Sequence, residues 1–256
     1  MKRLLAGLAI AGTIFSNAYA QTHKPTIVLV HGAFADASSW NGVIDILEND
    51  GYPVVAVANP LRGVGNDAEY VADILSSIES AIVVVGHSYG GSVISEAASD
   101  NAKVKALVYV SAFAPEAGET AAGLAGKFAG STLGPAIAPP VSLSGGGKDL
   151  YIQQDKFHDQ FAADLSNAEA KLMAATQRPI AEAALSETQT KAAWKNIPSW
   201  FIYGDEDKNI PPEALAFMAG RAHARETVVV KGASHVVMVS NPKPVAELIE
   251  NAAEAE

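Results

Sequence analysis

Short runs of apolar residues recur along the chain, and they end at or near Gly, Asn, Ser or Lys. The runs are rich in Val and Ile, which is typical of strands buried on both faces of a sheet. We therefore predict strands at 26–30, 54–57, 81–85, 104–110, 199–203 and 227–230. Stretches with helical spacing of apolar residues separate the first four strands, at 39–49, 68–78 and 92–98. This alternation predicts an α/β protein with a doubly wound parallel sheet.

The alternation stops after residue 111, and about 85 residues pass before the next predicted strand. That distance is much longer than an ordinary connection, so we predict an insertion at about 112–196. Its first half is rich in Gly and Pro, as loops are, and its second half has helical spacing at 154–165 and 167–177. We interpret the insertion as a mainly helical cap over the sheet. A small independent domain is the alternative.

The N-terminus has the order of features found in a secretory signal peptide. Lys2 and Arg3 precede an apolar run at 4–15, and Ala18-Tyr19-Ala20 resembles a cleavage site. We predict that residues 1–20 are removed and that the mature protein, 21–256, is exported to the periplasm or the medium. No twin Arg and no Cys accompanies this segment, so no lipid or membrane anchor is expected. A packed or disordered N-terminal helix is the alternative.

Composition narrows the possible functions. The chain has 18 basic and 28 acidic residues and a net charge of −10, which disfavours binding to nucleic acids and to anionic membranes. It contains no Cys, which excludes thiol catalysis and metal sites with Cys ligands. No group of residues has the spacing of metal ligands, so we expect neither a metal nor an organic cofactor. The sequence does not indicate an oligomeric state.

The pentapeptide at 86–90, GHSYG, places Ser88 between a predicted strand and a predicted helix. This context is what a nucleophile elbow requires, because the tight turn needs Gly on both sides and presents the Ser hydroxyl at the sheet edge. The helix that follows directs its N-terminal amides toward a developing negative charge. A Gly-rich turn with an incidental Ser is the alternative.

A Ser nucleophile needs a base, and the base needs an orienting carboxylate. Among the six His residues we favour His235, because it lies in the turn at 232–235 that follows the last predicted strand and can reach the same sheet edge as Ser88. The carboxylate is expected in the loop after the preceding strand, where Asp205, Glu206 and Asp207 compete. We favour Asp207, which can turn back under the imidazole, whereas Asp205 suits a turn.

Acyl transfer also needs donors for an oxyanion, and we assign this role to the backbone amides of Tyr89 and Ala33. Tyr89 follows the nucleophile, and Ala33 lies in the loop after the first strand. Seven apolar residues are candidates for the substrate pocket, although ordinary packing is the alternative for each. They are Phe34, Phe113, Tyr151, Phe157, Phe161, Val236 and Met238.

Four motifs, VLVHGAFADASSW, VVGHSYGG, GDEDKNIPP and KGASHVVM, occur in this order between about 26 and 249. The chain thereby resembles the α/β-hydrolases related to plant methylesterases and hydroxynitrile lyases. The resemblance implies a mostly parallel six-stranded sheet, a triad of Ser88, Asp207 and His235, and oxyanion donors at Ala33 and Tyr89. It also implies Asp207 rather than Asp205 as the carboxylate.

Two positions distinguish the ester hydrolases of this group from its hydroxynitrile lyases. Hydroxynitrile lyases of this group carry Thr where this chain has Gly32 and Lys where it has Val236. Because both lyase residues are missing, we predict a serine hydrolase that cleaves small carboxylic esters through an acyl-enzyme on Ser88. A lactone or amide hydrolase, and a binding or sensing protein with slow turnover, are the alternatives. Cofactor-free haloperoxidases share the triad, so peroxide chemistry is a possible side activity.

Overall fold

A parallel sheet forms the centre of the molecule, whose computed structural model describes residues 24–255. The predicted signal peptide at 1–20 lies outside the described residues. The strands are β1 (Thr26–Val30), β2 (Val54–Val57), β3 (Ile82–His87), β4 (Val104–Val110), β5 (Val141–Ser142), β6 (Lys148–Leu150), β7 (Ile180–Ala181), β8 (Ser199–Gly204) and β9 (Glu226–Val230).

Six of these strands make one sheet in the order β2-β1-β3-β4-β8-β9, and every neighbouring pair is parallel. The predicted α/β fold with a six-stranded sheet is therefore confirmed. Strands β1, β3 and β8 are buried along their whole length, which explains their continuous apolar sequences. The edge strand β9 instead alternates between exposed and partly buried residues.

Helices flank the sheet, and α1 packs against α11 while α2 packs against α3. No helix between residues 24 and 255 is long and apolar enough to span a bilayer. The helices are α1 (Asn41–Asn49), α2 (Val64–Ser77), α3 (Gly90–Ala97), α4 (Ala121–Gly126), α5 (Leu133–Ala136), α6 (Gln154–Phe161), α7 (Asn167–Thr176), α8 (Glu182–Ser186), α9 (Pro212–Arg221), α10 (Val237–Ser240) and α11 (Pro242–Glu254), with short 3-10 helices at Ala37–Trp40 and Ala193–Lys195.

The segment between β4 and β8 contains more than the helices that its sequence predicts. Helices α4 to α8 lie in it, and α6 and α7 coincide with the predicted helical stretches apart from their C-terminal ends. It also contains a three-stranded antiparallel sheet, β5-β6-β7, whose strands have only two or three residues. Strands this short show too little alternation of apolar and polar residues to be predicted.

Two carboxylates attach this segment to the start of α2. Glu187 accepts hydrogen bonds from the backbone amides of Val64, at 2.7 Å, and Gly65, at 3.0 Å. It therefore caps a helix whose own N-cap residue, Gly63, has no side chain. Asp149 on β6 pairs with Arg62 at 2.6 Å. Both contacts hold the segment against the carboxyl edge of the main sheet.

Candidate active site

Ser88 lies in the sharp turn between β3 and α3, at the carboxyl edge of the sheet. Its φ of 53° is in the left-handed region, which non-Gly residues rarely adopt. Close packing holds this conformation, because a Cβ on Gly90 would lie 2.5 Å from the carbonyl oxygen of Val30, and a Cβ on Gly91 would lie 2.1 Å from that of Phe113. The two glycines are therefore required by the turn itself.

The structure brings Ser88, His235 and Asp207 together in one hydrogen-bonded line. His235 Nε2 lies 2.8 Å from Ser88 Oγ, and His235 Nδ1 lies 2.7 Å from Asp207 Oδ2. All three side chains are buried. Because the carboxylate accepts the Nδ1 proton, the neutral imidazole presents Nε2 as the acceptor for the Ser88 hydroxyl.

The loop after β8 separates the three competing acids. Asp207 is buried, and its Oδ1 accepts the backbone N–H groups of Asn209 and Ile210 at 2.8 and 3.0 Å, which fixes the carboxylate under His235. Asp205 is exposed and accepts the N–H of Gly232 at 2.5 Å, so it joins two loops. Glu206 is exposed as well. The structure thus places only Asp207 of these acids against the imidazole.

The amides of Ala33 and Tyr89 flank Ser88, and both residues line the same cavity as the Ser88 hydroxyl. Neither backbone N–H donates a hydrogen bond to another group within residues 24–255. The neighbouring amide of Phe34, by contrast, donates to the carbonyl of Arg178 at 3.0 Å. Two unpaired donors beside a hydroxyl are suited to receive a negatively charged oxygen.

Asp67 and Tyr89 form a buried contact that sequence reasoning missed. The Tyr89 hydroxyl donates to Asp67 Oδ2 at 2.9 Å, and the backbone N–H of Arg62 also donates to this carboxylate. Burial raises the pKa of both side chains. The contact holds the residue whose amide faces the cavity, and the only sequence signal for it is an Asp in the first turn of α2.

His87, which directly precedes Ser88, lies beside His235 in the structure. Its ring centroid lies 4.8 Å from that of His235, and its Nε2 lies 3.1 Å from the His235 carbonyl oxygen. Burial, followed by the influence of His235, holds the pKa of His87 well below its ordinary value. His87 therefore stays neutral and supports the loop that carries His235.

His31 supports the other loop at the site. Its Nδ1 lies 2.9 Å from the carbonyl oxygen of Gly32, and its Nε2 accepts the Asn59 backbone N–H at 3.1 Å. Asn59 Nδ2 in turn donates to the His31 carbonyl at 2.9 Å. These bonds anchor the backbone just before Ala33. Burial lowers the pKa of His31 from 6.5 to about 4.

A cavity of about 340 Å³ extends from Ser88 under the inserted segment. Its wall is mostly aliphatic, and the helices α4 and α5 contribute much of it. The residues that line it are Ala33, Phe34, Ser88, Tyr89, Phe113, Ala121, Ala122, Ala125, Ser131, Leu133, Gly134, Ile137, Leu150, Leu185, Asn209 and Ile210.

Of the seven predicted pocket residues, Phe34 and Phe113 line this cavity, and the other five lie outside its lining. Phe157 and Phe161 on α6 are fully buried, and the Phe161 ring packs edge-on against His235 at 5.1 Å. Val236 and Met238 are fully buried at α10, which packs against α1 and α11. Tyr151 is only partly buried and lies outside the lining. The apolar side chains of α6 and α10 therefore pack in the core.

The arrangement is suited to nucleophilic chemistry that needs only side chains and backbone amides. A hydroxyl, a base and a carboxylate are in line, two amides without partners belong to residues that line the same cavity, and the wall of this cavity is mostly apolar. Residues 24–255 contain no cluster of three or more His, Asp or Glu residues that could hold a metal ion.

Comparisons with known proteins identify the family to which the chain belongs. A model of the alpha/beta hydrolase family matches residues 27–248, so the chain belongs to this family. It is 24% identical over 241 residues to the alpha-hydroxynitrile lyase of Arabidopsis thaliana, an alignment covering 86% of this chain and 93% of the relative. It is 27% identical over 247 residues to the pyrethroid hydrolase of Sphingobium wenxiniae, covering 90% and 88%.

A solved structure supports the fold. The crystal structure of polyneuridine aldehyde esterase superposes with a TM-score of 0.78 at 20% identity, covering 90% of this chain and all of that one. The predicted family and fold are therefore confirmed, and the chain is an α/β-hydrolase with esterases among its relatives.

The low pKa of His31 makes the stability of this site depend on pH. Between its ordinary pKa of 6.5 and about 4, the unfolded chain binds a proton that the folded chain rejects. We expect this group alone to remove about 3 kcal/mol from the free energy of unfolding as the pH falls through that range, with no further loss below it. Denaturant unfolding measured from pH 7 to pH 4 tests this expectation.

In the variant His31→Asn, the decrease in the free energy of unfolding over the same pH range should be smaller than in the wild type by about 3 kcal/mol. His223→Asn is the matched control, because His223 is exposed and has a φ of 49° that Asn tolerates. Equal pH dependence in the wild type and in His31→Asn would contradict the assignment.

Proposed function

We propose that this protein is a serine esterase that hydrolyses small, uncharged carboxylic esters through an acyl-enzyme on Ser88. The observation that carries the proposal is the hydrogen-bonded line from Asp207 through His235 to Ser88, which ends in an apolar cavity. Each element needed for acyl transfer lies within reach of the same hydroxyl. The cavity wall carries no charged side chain that would bind an ionic substrate.

In the first half of the proposed reaction, Ser88 Oγ attacks the ester carbonyl carbon while His235 Nε2 takes the hydroxyl proton. The carbonyl oxygen becomes negatively charged and is held by the N–H groups of Ala33 and Tyr89. His235 then gives its proton to the departing alcohol, which leaves an ester bond between the acyl group and Ser88. Asp207 keeps the imidazole in the tautomer that accepts at Nε2 and stabilises the imidazolium.

In the second half, water repeats these steps on the acyl-enzyme. His235 takes a proton from water as the water oxygen attacks the acyl carbon, and the same two amides hold the oxyanion. Collapse of this intermediate returns the proton to Ser88 Oγ and releases the carboxylic acid. No other group is needed to balance the reaction.

Packing around Gly32 favours ester hydrolysis over the cleavage of cyanohydrins. A Cβ at this position would lie 2.6 Å from Ser88 Cβ and 2.7 Å from the His87 carbonyl oxygen, so this turn has no room for the Thr of the lyases. Val236, which stands where the lyases have Lys, is buried outside the cavity. Relatives named as methylesterases and as a pyrethroid hydrolase support ester hydrolysis, whereas the relative named as a hydroxynitrile lyase is the reason that these two positions matter.

The variant Ser88→Ala tests the proposal directly. We expect it to lower kcat/KM for short p-nitrophenyl esters by at least about 10³-fold, because no other group replaces the nucleophile. Ser92→Ala is the matched control. Ser92 lies one turn further along α3, is buried, and its hydroxyl has no hydrogen-bond partner in the described chain, so its loss should leave activity near that of the wild type.

If the wild type hydrolyses these esters no faster than Ser88→Ala, the esterase proposal fails, and a binding protein with the hydrolase fold takes its place. Lactones and amides assayed beside the esters distinguish the remaining hydrolase classes. Faster turnover of either class by the wild type, with the same dependence on Ser88, would replace ester as the substrate class.

We further propose that the protein is exported after removal of residues 1–20, on the basis of the N-terminal sequence. Expression of the full chain in a Gram-negative host, followed by mass spectrometry of the periplasmic fraction, should give a mature protein beginning at Gln21. Recovery of intact protein with Met1 in the cytoplasm alone would contradict the export proposal.

A further inference from the structure

Among the residues that line the cavity, one polar side chain other than that of Ser88 has a donor group without a partner in the described chain. Besides Ser88, three residues with polar side chains line the cavity: Tyr89, Ser131 and Asn209. The Tyr89 hydroxyl donates to Asp67, and the Ser131 hydroxyl donates to the Asn209 carbonyl oxygen at 2.9 Å. The side-chain NH₂ group of Asn209 donates to none of residues 24–255.

Neighbouring groups determine which end of the Asn209 amide carries the NH₂ group. Gln160 Nε2 donates to the Lys208 carbonyl oxygen at 2.9 Å, and Gln160 Oε1 accepts from the Thr132 hydroxyl at 2.8 Å. With Gln160 oriented in this way, its Nε2 also donates to Asn209 Oδ1 at 2.7 Å. Rotating the Asn209 amide would place two NH₂ groups against each other, so Nδ2 is the end that remains unpaired.

Hydrogen bonds hold Asn209 in place, although its side-chain NH₂ group has no partner in the described chain. Its side chain is only slightly accessible, because the residue is 4% exposed. Its backbone N–H is fixed by Asp207 Oδ1 at 2.8 Å, which ties it to the loop that orients His235. The Nδ2 atom remains accessible to a small molecule, so a substrate oxygen placed there would replace a hydrogen bond to water by one to Asn209.

We propose that Asn209 is a specificity-determining residue whose NH₂ group donates a hydrogen bond to an oxygen in the buried part of the substrate. The inference rests on the proposed esterase function. The preferred substrate is then an ester whose apolar portion carries an ether or carbonyl oxygen away from the scissile bond. With a cavity of about 340 Å³, that portion has about a dozen non-hydrogen atoms, since a cavity of about 150 Å³ holds benzene.

A positional scan with one oxygen atom tests this assignment. The reference is a saturated straight-chain p-nitrophenyl ester, and the test series replaces one methylene at a time by an ether oxygen, beyond the carbon next to the carbonyl. A second series places the same replacements in the alcohol portion of acetate esters. For the wild type we expect one position in one series to exceed its neighbours in kcat/KM by about 3- to 10-fold.

The variant Asn209→Leu keeps the approximate volume and removes the donor. At the favoured position, we expect the ratio of kcat/KM for the ether ester to that for the alkyl ester to fall by about 3- to 10-fold. For the alkyl ester, kcat/KM should rise in Asn209→Leu because the Leu side chain adds apolar surface to the cavity. Ile210→Val is the control, because Ile210 lines the same cavity and has no polar group, so the ratio should stay at the wild-type value.

The same ratio in the wild type and in Asn209→Leu would overturn the inference. If the Leu variant does not fold, Asn209→Ala replaces it. Equal kcat/KM values for all positions of the ether oxygen in the wild type would also contradict the inference. An unchanged ratio in Asn209→Leu, while Ser88→Ala still abolishes turnover, would refute the role of Asn209 and leave the esterase proposal standing. If no ester is hydrolysed, calorimetric binding of straight-chain dialkyl ethers with displaced oxygens to the wild type and Asn209→Leu decides the role of Asn209 independently of catalysis.

Discussion

The close approach of three backbone segments around Ser88 is the constraint on which the site depends. The end of β1, the turn between β3 and α3, and the loop after β4 meet so closely that a Cβ on Gly32, Gly90 or Gly91 would overlap a neighbour. The packing holds Ser88 at a positive φ and places the amides of Ala33 and Tyr89 beside its hydroxyl. Close backbone packing therefore positions Ser88 and the two amides that we propose as oxyanion donors.

Buried polar groups around this turn are held by hydrogen bonds and, for the two imidazoles, are kept neutral. Asp67 holds the Tyr89 ring, His31 holds the loop before Ala33, and His87 holds the carbonyl of His235. Because burial lowers the pKa of His31 and His87, neither adds a positive charge beside His235 when His235 accepts a proton. Of these three imidazoles, only that of His235 changes its charge during the proposed reaction.

Local patterns were sufficient to predict the sheet and the line from Ser88 to His235. The runs at 26–30, 54–57 and 104–110 coincide with β1, β2 and β4, because buried parallel strands need continuous apolar sequence. Ser88 and His235 are recognisable in the sequence because each lies in the turn after a predicted strand. Asp207 needed the family resemblance as well, since three acids share one loop and only the folded loop shows which of them is buried.

The cap and the pocket were less predictable, because they depend on contacts between distant segments. Phe157 and Phe161 have helical spacing, but spacing alone does not show whether that face lines a cavity or packs under His235. The short strands of the second sheet leave no pattern. The role proposed for Asn209 has no sequence pattern either. Its NH₂ group is left without a partner because of the hydrogen bonds of Gln160 and Thr132, which lie about 50 and about 80 residues away in sequence.

Peptide mapping after reaction with a fluorophosphonate tests the central claim most directly. Our account predicts that the wild type is modified once, on Ser88, because among residues 24–255 only this hydroxyl is hydrogen-bonded to an imidazole that a carboxylate orients. The modification should be absent from Ser88→Ala and present in Ser92→Ala. A label on any other residue, or equal labelling of Ser88→Ala and the wild type, would contradict the account.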